Sequence, residues 1–282
     1  MDIMRWVTIL CALIVLRSDA TEMPSVDDLL RYLDIQTVQR ADLLKGKILT
    51  NDIGEGAEKE LSVGVIMFVP APMDRLTEYV RSGQWFTSDR DVIAFGELKE
   101  PVTLDSFPTN APRTELLRRY EAYHQRGLAG IEPRGRARPG EELQTALQEA
   151  KLLAKFFPEI YRALRLYPEG QPVDLRHAFF WINQRVENRP TYILAHRSYF
   201  VRPDAAFMAE RQFYVEHSYN SLFLLAGAMP MSGGTIMLYS NRTFTDQVAG
   251  VGSGLRHSIG RKQMRDEIMK SFEQIRATVS AQ

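Results

Sequence analysis

Two ionisable side chains on an otherwise apolar strand are the most chemically suggestive feature of this sequence. Within Ala209–Asn220 (AERQFYVEHSYN), a regular strand puts Phe207, Ala209, Arg211, Phe213, Val215 and His217 on one face. An arginine and a histidine aimed into an apolar space are costly to bury without partners. A ligand carboxylate or phosphate bonded by the guanidinium fork would satisfy Arg211. His217 could move a proton there, oriented by Glu210 or Glu216. The alternative is internal: Glu210, Glu216, Asp246 or a backbone carbonyl satisfies both groups as a structural network. Phe213, Tyr214 and Tyr219 complete the candidate ligand-binding set, and no residue is assigned as catalytic.

Other motifs offer less. Gly250-Val251-Gly252-Ser253-Gly254 precedes a helical stretch. It lacks the Lys-Ser/Thr of a phosphate loop and the strand–glycine–helix order of a dinucleotide fold, so it reads as a linker. Arg242 and Asp246, four apart, could pair with each other. His124, His177, His196 and His257 make no HxxxH or HxH spacing, so neither a metal nor a cofactor is expected. Ser198, Ser218 and Ser221 lack the Gly-x-Ser-x-Gly elbow of a hydrolase triad. Met208, Met231 and Met237 read as core filling.

The elements that must position these residues change character along the chain. Ser25 and Asp28 mark a short helix over Val26–Leu33. A first strand is expected near Gly46–Thr50, followed by a turn at Gly54-Glu55-Gly56. Leu61–Val69 (LSVGVIMFV) alternates as a strand with Leu61, Val63, Val65, Met67 and Val69 together. Pro70-Ala71-Pro72 ends it, a helix follows over Met73–Arg81, and a short strand surrounds Val92–Phe95. Thr114–Gln125 and Glu141–Leu166 have a helical period, the second with Leu143, Leu147, Ala150, Leu153, Phe157, Ile160 and Leu164 in one stripe. Arg134–Gly140 between them reads as a solvated loop. From His177 the pattern is that of an antiparallel meander: His177–Val186, Thr191–Arg202, Phe207–Val215, Tyr219–Ala226 and Thr235–Tyr239. A helix over Ser258–Val279 closes the chain, with Met264, Ile268, Phe272, Ile275 and Val279 as its stripe.

The chain has 282 residues, 45% apolar and 25% charged, with 35 basic and 35 acidic side chains. A balanced charge gives no reason to expect nucleic acid as a partner. Trp6–Leu16 (WVTILCALIVL) is an apolar run of about eleven residues, too short at about 1.5 Å each to cross a bilayer core of about 30 Å. Ser18-Asp19-Ala20 follows with small residues at −3 and −1 of a signal-peptidase site. Residues 1–20 are therefore expected to be a signal peptide, leaving a mature chain from Thr21 with no membrane span. Cys11, the only cysteine, is preceded by Leu10 where a lipoprotein signal would carry Gly or Ala, and it leaves with the leader. An exported domain without disulfides points to a bacterial periplasm.

The order of elements resembles the START-like (SRPBCC, helix-grip) superfamily, in which a curved antiparallel sheet wraps a long C-terminal helix. The likeness rests on Leu61–Val80, with Val69-Pro70-Ala71-Pro72 at the strand-to-helix junction, and on His177–Val279. It implies an α+β fold over residues 21–282 and a cavity between sheet and helix for a lipid or another apolar or amphipathic small molecule. Residues of about 112–168 have no counterpart in the compact form of that fold and form a helical insertion. The leading expectation is an exported binding protein with Arg211 and His217 fixing the ligand's polar end. The alternatives are a cyclase- or hydrolase-type enzyme using His217 in the same cavity, and an envelope scaffolding protein.

Overall fold

The computed structural model describes residues 24–51, 53–82, 89–250 and 252–281. The expected leader, residues 1–20, lies outside them. The apolar run Leu61–Val69 becomes, with β6 (Ala206–Val215), one of two strands among the described residues that are buried along their whole length. Strand β2 (Glu60–Val69) is buried along all ten residues, because both faces of the sheet are covered. β1 (Leu49–Asn51) pairs with one edge of it and β8 (Gly234–Phe244) with the other. The remaining strands are β3 (Val92–Leu98), β4 (Arg176–Val186), β5 (Arg189–Val201), β6 (Ala206–Val215) and β7 (Ser221–Met231). All pairings are antiparallel, in the order β1-β2-β8-β7-β6-β5-β4-β3.

Two tight hairpins set the register of the meander. Glu187 and Asn188 join β4 to β5 with φ of 51° and 62°, the left-handed values a two-residue turn requires. Ser232 and Gly233 join β7 to β8, and Gly233 takes φ 84° where a side chain would be strained. β7 and β8 run further than their hydrophobic pattern indicates. Their extensions hold Gly227, Pro230, Asn241 and Arg242, residue types that weaken a strand reading yet pair in full here.

Each face of the sheet carries its own helices. Before the meander come α1 (Val26–Tyr32), with its Ser25–Asp28 capping box, α2 (Thr37–Leu44) and α3 (Met73–Arg81). On one face lies the terminal helix α8 (Ser253–Ala281), whose Ile268, Phe272, Ile275 and Val279 pack against Val63, Val65, Met67 and Val69 of β2 and Met237 of β8. The opposite face takes the helical insertion between β3 and β4: α4 (Arg113–Arg126), α5 (Pro139–Gln148), α6 (Lys151–Phe156) and α7 (Pro158–Leu166). Leu116, Tyr123, Leu143, Leu153 and Leu164 meet Phe179, Leu194, Phe207, Phe213 and Phe223 there. The buried Glu142 carboxylate fixes the docking, accepting from Asn220 Nδ2 at 2.9 Å and Ser221 Oγ at 2.8 Å.

Several local expectations are corrected. Glu141–Leu166 is three helices rather than one, since Ala150 and Phe157 leave the helical conformation. Pro158 forbids a helical residue before it and supplies N1 of the next helix. Arg134 is no solvated loop residue: its guanidinium bonds the carbonyls of Val215 and Glu216 and lies 5.9 Å from the Tyr214 ring. The final helix begins at Ser253, so only the start of the glycine-rich stretch is a linker. Arg242 and Asp246 do not pair. Arg242 bonds the buried Glu60 carboxylate, and Asp246 meets Lys59 at 2.5 Å.

Candidate ligand-binding site

Between the sheet and α8 lies a cavity of about 450 Å³. β6 offers it Glu210 and Gln212, β7 Leu222 and Leu224, β8 Asn241 and Thr243, and α8 Ile268, Phe272 and Ile275. Side chains alternate across a strand, so these are the residues that β6–β8 turn toward the terminal helix. The apolar half is contributed mainly by α8 and β7, the polar half by β6 and β8.

A hydrogen-bonded chain runs along the β6 wall. Arg197 Nε donates to Glu210 Oε2 at 2.5 Å, and both side chains are 1% exposed. The pair sits in register on adjacent strands. Gln212 Nε2 donates to the second Glu210 oxygen at 2.8 Å, and the Tyr219 hydroxyl donates to Gln212 Oε1. Burial alone would lower the Arg197 pKa, but the adjacent Glu210 charge outweighs it and holds the guanidinium protonated. Burial pushes the Tyr219 and Tyr239 hydroxyls far up, so both remain neutral. On β8, Thr243 Oγ1 donates to Asn241 Oδ1 at 2.8 Å and Asn241 Nδ2 donates to Tyr239 Oη at 3.2 Å. Exposed Asp89, Glu187, Glu267 and Arg185 also line it, so acid exceeds base among these four. Burial raises the Asp89 pKa, partly offset by the hydrogen bond its carboxylate accepts from the Asp91 backbone N–H.

The five residues singled out from the sequence do not converge. Arg211 projects to the opposite face, beneath the insertion, at 2% exposure. Its Nη1 donates to Tyr123 Oη at 3.2 Å and its Nη2 to the Leu164 carbonyl in the last turn of α7. That carbonyl lies where a helix dipole favours a cation. Its Nε has no hydrogen-bond partner. Among the internal partners anticipated, the backbone carbonyl is the one present; Glu210, Glu216 and Asp246 do not bond Arg211. Phe213 stacks on Tyr123, with centroids 4.0 Å apart. Tyr214 lies on the insertion face too, near Arg119 and Arg134. Only Tyr219 lines the cavity beside α8.

A β-bulge explains part of this. Leu194 pairs with Tyr214 and Ala195 with Gln212, leaving Phe213 as the extra residue. Alternation along β6 therefore inverts after Phe213, and Val215 joins Ile182, Ile193 and Ala195 on the α8 side. His217 does not continue the Arg211 face. β6 ends at Val215, Ser218 has φ 79°, and the imidazole turns back to the rim. Its Nε2 meets the Pro190 carbonyl at 2.9 Å and its Nδ1 the Ser218 hydroxyl at 2.9 Å.

Under the insertion, Arg211 belongs to a polar chain that sequence spacing could not reveal. Tyr123 Oη is 2.8 Å from His196 Nδ1, His196 Nε2 is 2.9 Å from His177 Nδ1, and His177 Nε2 is 3.0 Å from Gln171 Oε1. Burial lowers the His177 pKa to about 4, helped by the Arg211 charge, and lowers His196 well below its ordinary value for the same reasons. Both rings are neutral at pH 7, and His196 lies flat on Phe179 at 4.5 Å. Among the described residues no three His, Cys, Asp or Glu side chains form a metal-binding group. No described helix is long and apolar enough to cross a membrane.

No family model matches the sequence, and no curated protein does either. Among solved structures, the chain is similar to Ara h 8.0201, at 7% identity over 79% of this chain and 99% of that one, with a TM-score of 0.37. It is also similar to the di-domain ARO/CYC StfQ from the steffimycin biosynthetic pathway, at 8% identity over 79% of this chain and 50% of that one, with a TM-score of 0.39. A third is protein CV1439 from Chromobacterium violaceum, at 7% identity over 78% and 98%, with a TM-score of 0.36. The chain's own topology, an eight-stranded antiparallel sheet with a long C-terminal helix packed across it, is the helix-grip α+β arrangement that its element order resembles.

Proposed function

We propose that this chain is a binding protein for an amphipathic small molecule held between the sheet and α8. The observation that carries the reading is the cavity of about 450 Å³ whose wall joins Leu222, Leu224 and Ile268 to the Glu210–Gln212–Tyr219 chain. Its volume is in the range of small-molecule sites, and its mixture of apolar surface with a few fixed polar groups is what such sites use. The ligand's apolar body lies against α8 and β7. Its polar end meets Gln212 and Tyr219. Glu210 is neutralised by Arg197, but among the described lining residues Asp89, Glu187 and Glu267 outnumber Arg185, so the lining favours a neutral or cationic head over an anionic one. Arg211, turned to the other face, is not its anchor.

Trp6–Leu16 and the Ser18-Asp19-Ala20 site support export of this carrier. The enzyme reading loses its proton-transfer group, since His217 is bonded at the rim outside the cavity lining.

Native mass spectrometry of the full chain purified from its own host tests the proposal. A bound small molecule should co-purify, and Leu224→Trp, which fills the cavity, should lose it while remaining folded. An adduct that persists in the folded Leu224→Trp protein would sink this assignment of the site.

A further inference from the structure

The face opposite α8 holds a second cavity, of about 280 Å³, beneath α1 and α6. We infer that it is a separate site for an unbranched alkyl chain of medium length. Leu29 of α1 and Leu33 just after it, with Leu152 and Leu153 of α6, roof it. Its floor is the outer face of β2, β8, β7 and β6; the side chains stop short over Gly227, while Asn51 and Ile53 cover Gly64. Gly64 and Ser240 are paired across β2 and β8, and Gly227 lies on β7 beside Leu238. A Cβ added to Gly227 would meet nothing within 4 Å. Gly227, Leu225 and Ser240 are half-buried although they lie in central strands, so solvent reaches the sheet through this opening.

The dimensions select the occupant. Four strands at about 4.8 Å spacing put the ends of the slot roughly 14 Å apart, a length that suits an extended chain. Its volume, about 280 Å³, is smaller than that of the cavity beside α8. The Glu149–Lys151 ion pair, 3.2 Å apart with Lys151 exposed, stands in the lining beside α6. It gives the chain's polar end a donor and an acceptor in contact with water.

Octanoate added to the full-length protein, followed by methyl NMR, tests the inference. Signals of Leu29, Leu152 and Met229 should shift on binding, while those of Ile268 and Ile275, on the α8 side, should not. Gly227→Leu, which occupies the empty space, should weaken binding at least tenfold. Gly227→Ala, whose added Cβ has no neighbour to displace, should fold normally and weaken it severalfold. Shifts confined to Ile268 and Ile275, affinity unchanged in Gly227→Ala and Gly227→Leu, or no shift at millimolar octanoate would each overturn it. The α8-side cavity is read by a different set of methyls, so failure of either site leaves the other assignment standing.

Discussion

His196 Nε2 lies 2.9 Å from His177 Nδ1, and the insertion that covers both rings keeps them neutral. In the unfolded chain each titrates near about 6.5. In the folded protein His177 does so at about 4, and His196 is held well below its ordinary value. Below pH 6.5 the unfolded state thus binds more protons than the folded one, and stability falls as pH falls. The loss begins near pH 6.5 and continues through pH 4. Urea midpoints at pH 7 and pH 4.5 should show the drop, and His196→Asn should reduce the difference between them. An unchanged pH slope in His196→Asn would assign the acid sensitivity elsewhere.

Two buried arginines on adjacent strands, Arg197 of β5 and Arg211 of β6, should differ in what their removal costs. Arg197→Met strands the buried Glu210 carboxylate and should cost about 3–5 kcal/mol. Arg211→Leu strands no carboxylate. It leaves the Leu164 carbonyl unpaired while removing a cation with an unsatisfied Nε, so its cost should be held to about 1–3 kcal/mol. Denaturant unfolding of the two variants checks the order. Equal losses would contradict the assignment of Glu210 to Arg197.

The grip of the terminal helix is testable on its two sides. Phe272 is 3% exposed and meets the Tyr239 ring edge-on at 5.0 Å. Phe272→Ala should cost about 3–5 kcal/mol. Lys270 is exposed and pairs only with Glu267, so Lys270→Ala should cost under about 0.5 kcal/mol. Matching melting temperatures would show that α8 is not held by the sheet.

Export predicts a defined new terminus. N-terminal sequencing of protein recovered outside the cytoplasm should begin at Thr21 or within a few residues of it. A mature chain that keeps Trp6–Leu16 would contradict the proposal.

Periodicity carried the fold and not the site. The stripe Ile268–Phe272–Ile275 and the alternation of Leu61–Val69 each named a buried face correctly, because one period governs each element. The β6 face could not be assigned that way. With helices on both sides of the sheet, Phe207 and Phe213 are buried on one side and Glu210 and Gln212 on the other, so burial does not distinguish the cavity wall. The Phe213 bulge then shifts the phase, and the turn at Ser218 removes His217. The Tyr123–His196–His177 chain joins residues 19 and 73 positions apart, a contact only the tertiary fold creates. Arg197 and Glu210 were within reach of the sequence, as charges facing each other across adjacent strands, once the β5–β6 register was known.

The pairing of β2 with β8 also sets a schedule for biosynthesis. Val69 is paired in register with Thr235, and Glu60 with Phe244. At translation rates of about 5–20 residues per second, β2 emerges roughly 10–35 s before its central neighbour. During that interval Leu61–Val69 is a nascent apolar strand with only the three-residue β1 beside it. It is the segment a holdase chaperone must cover until the last hairpin is made, and the place where a ribosome stalled after residue 230 would leave an aggregation-prone product.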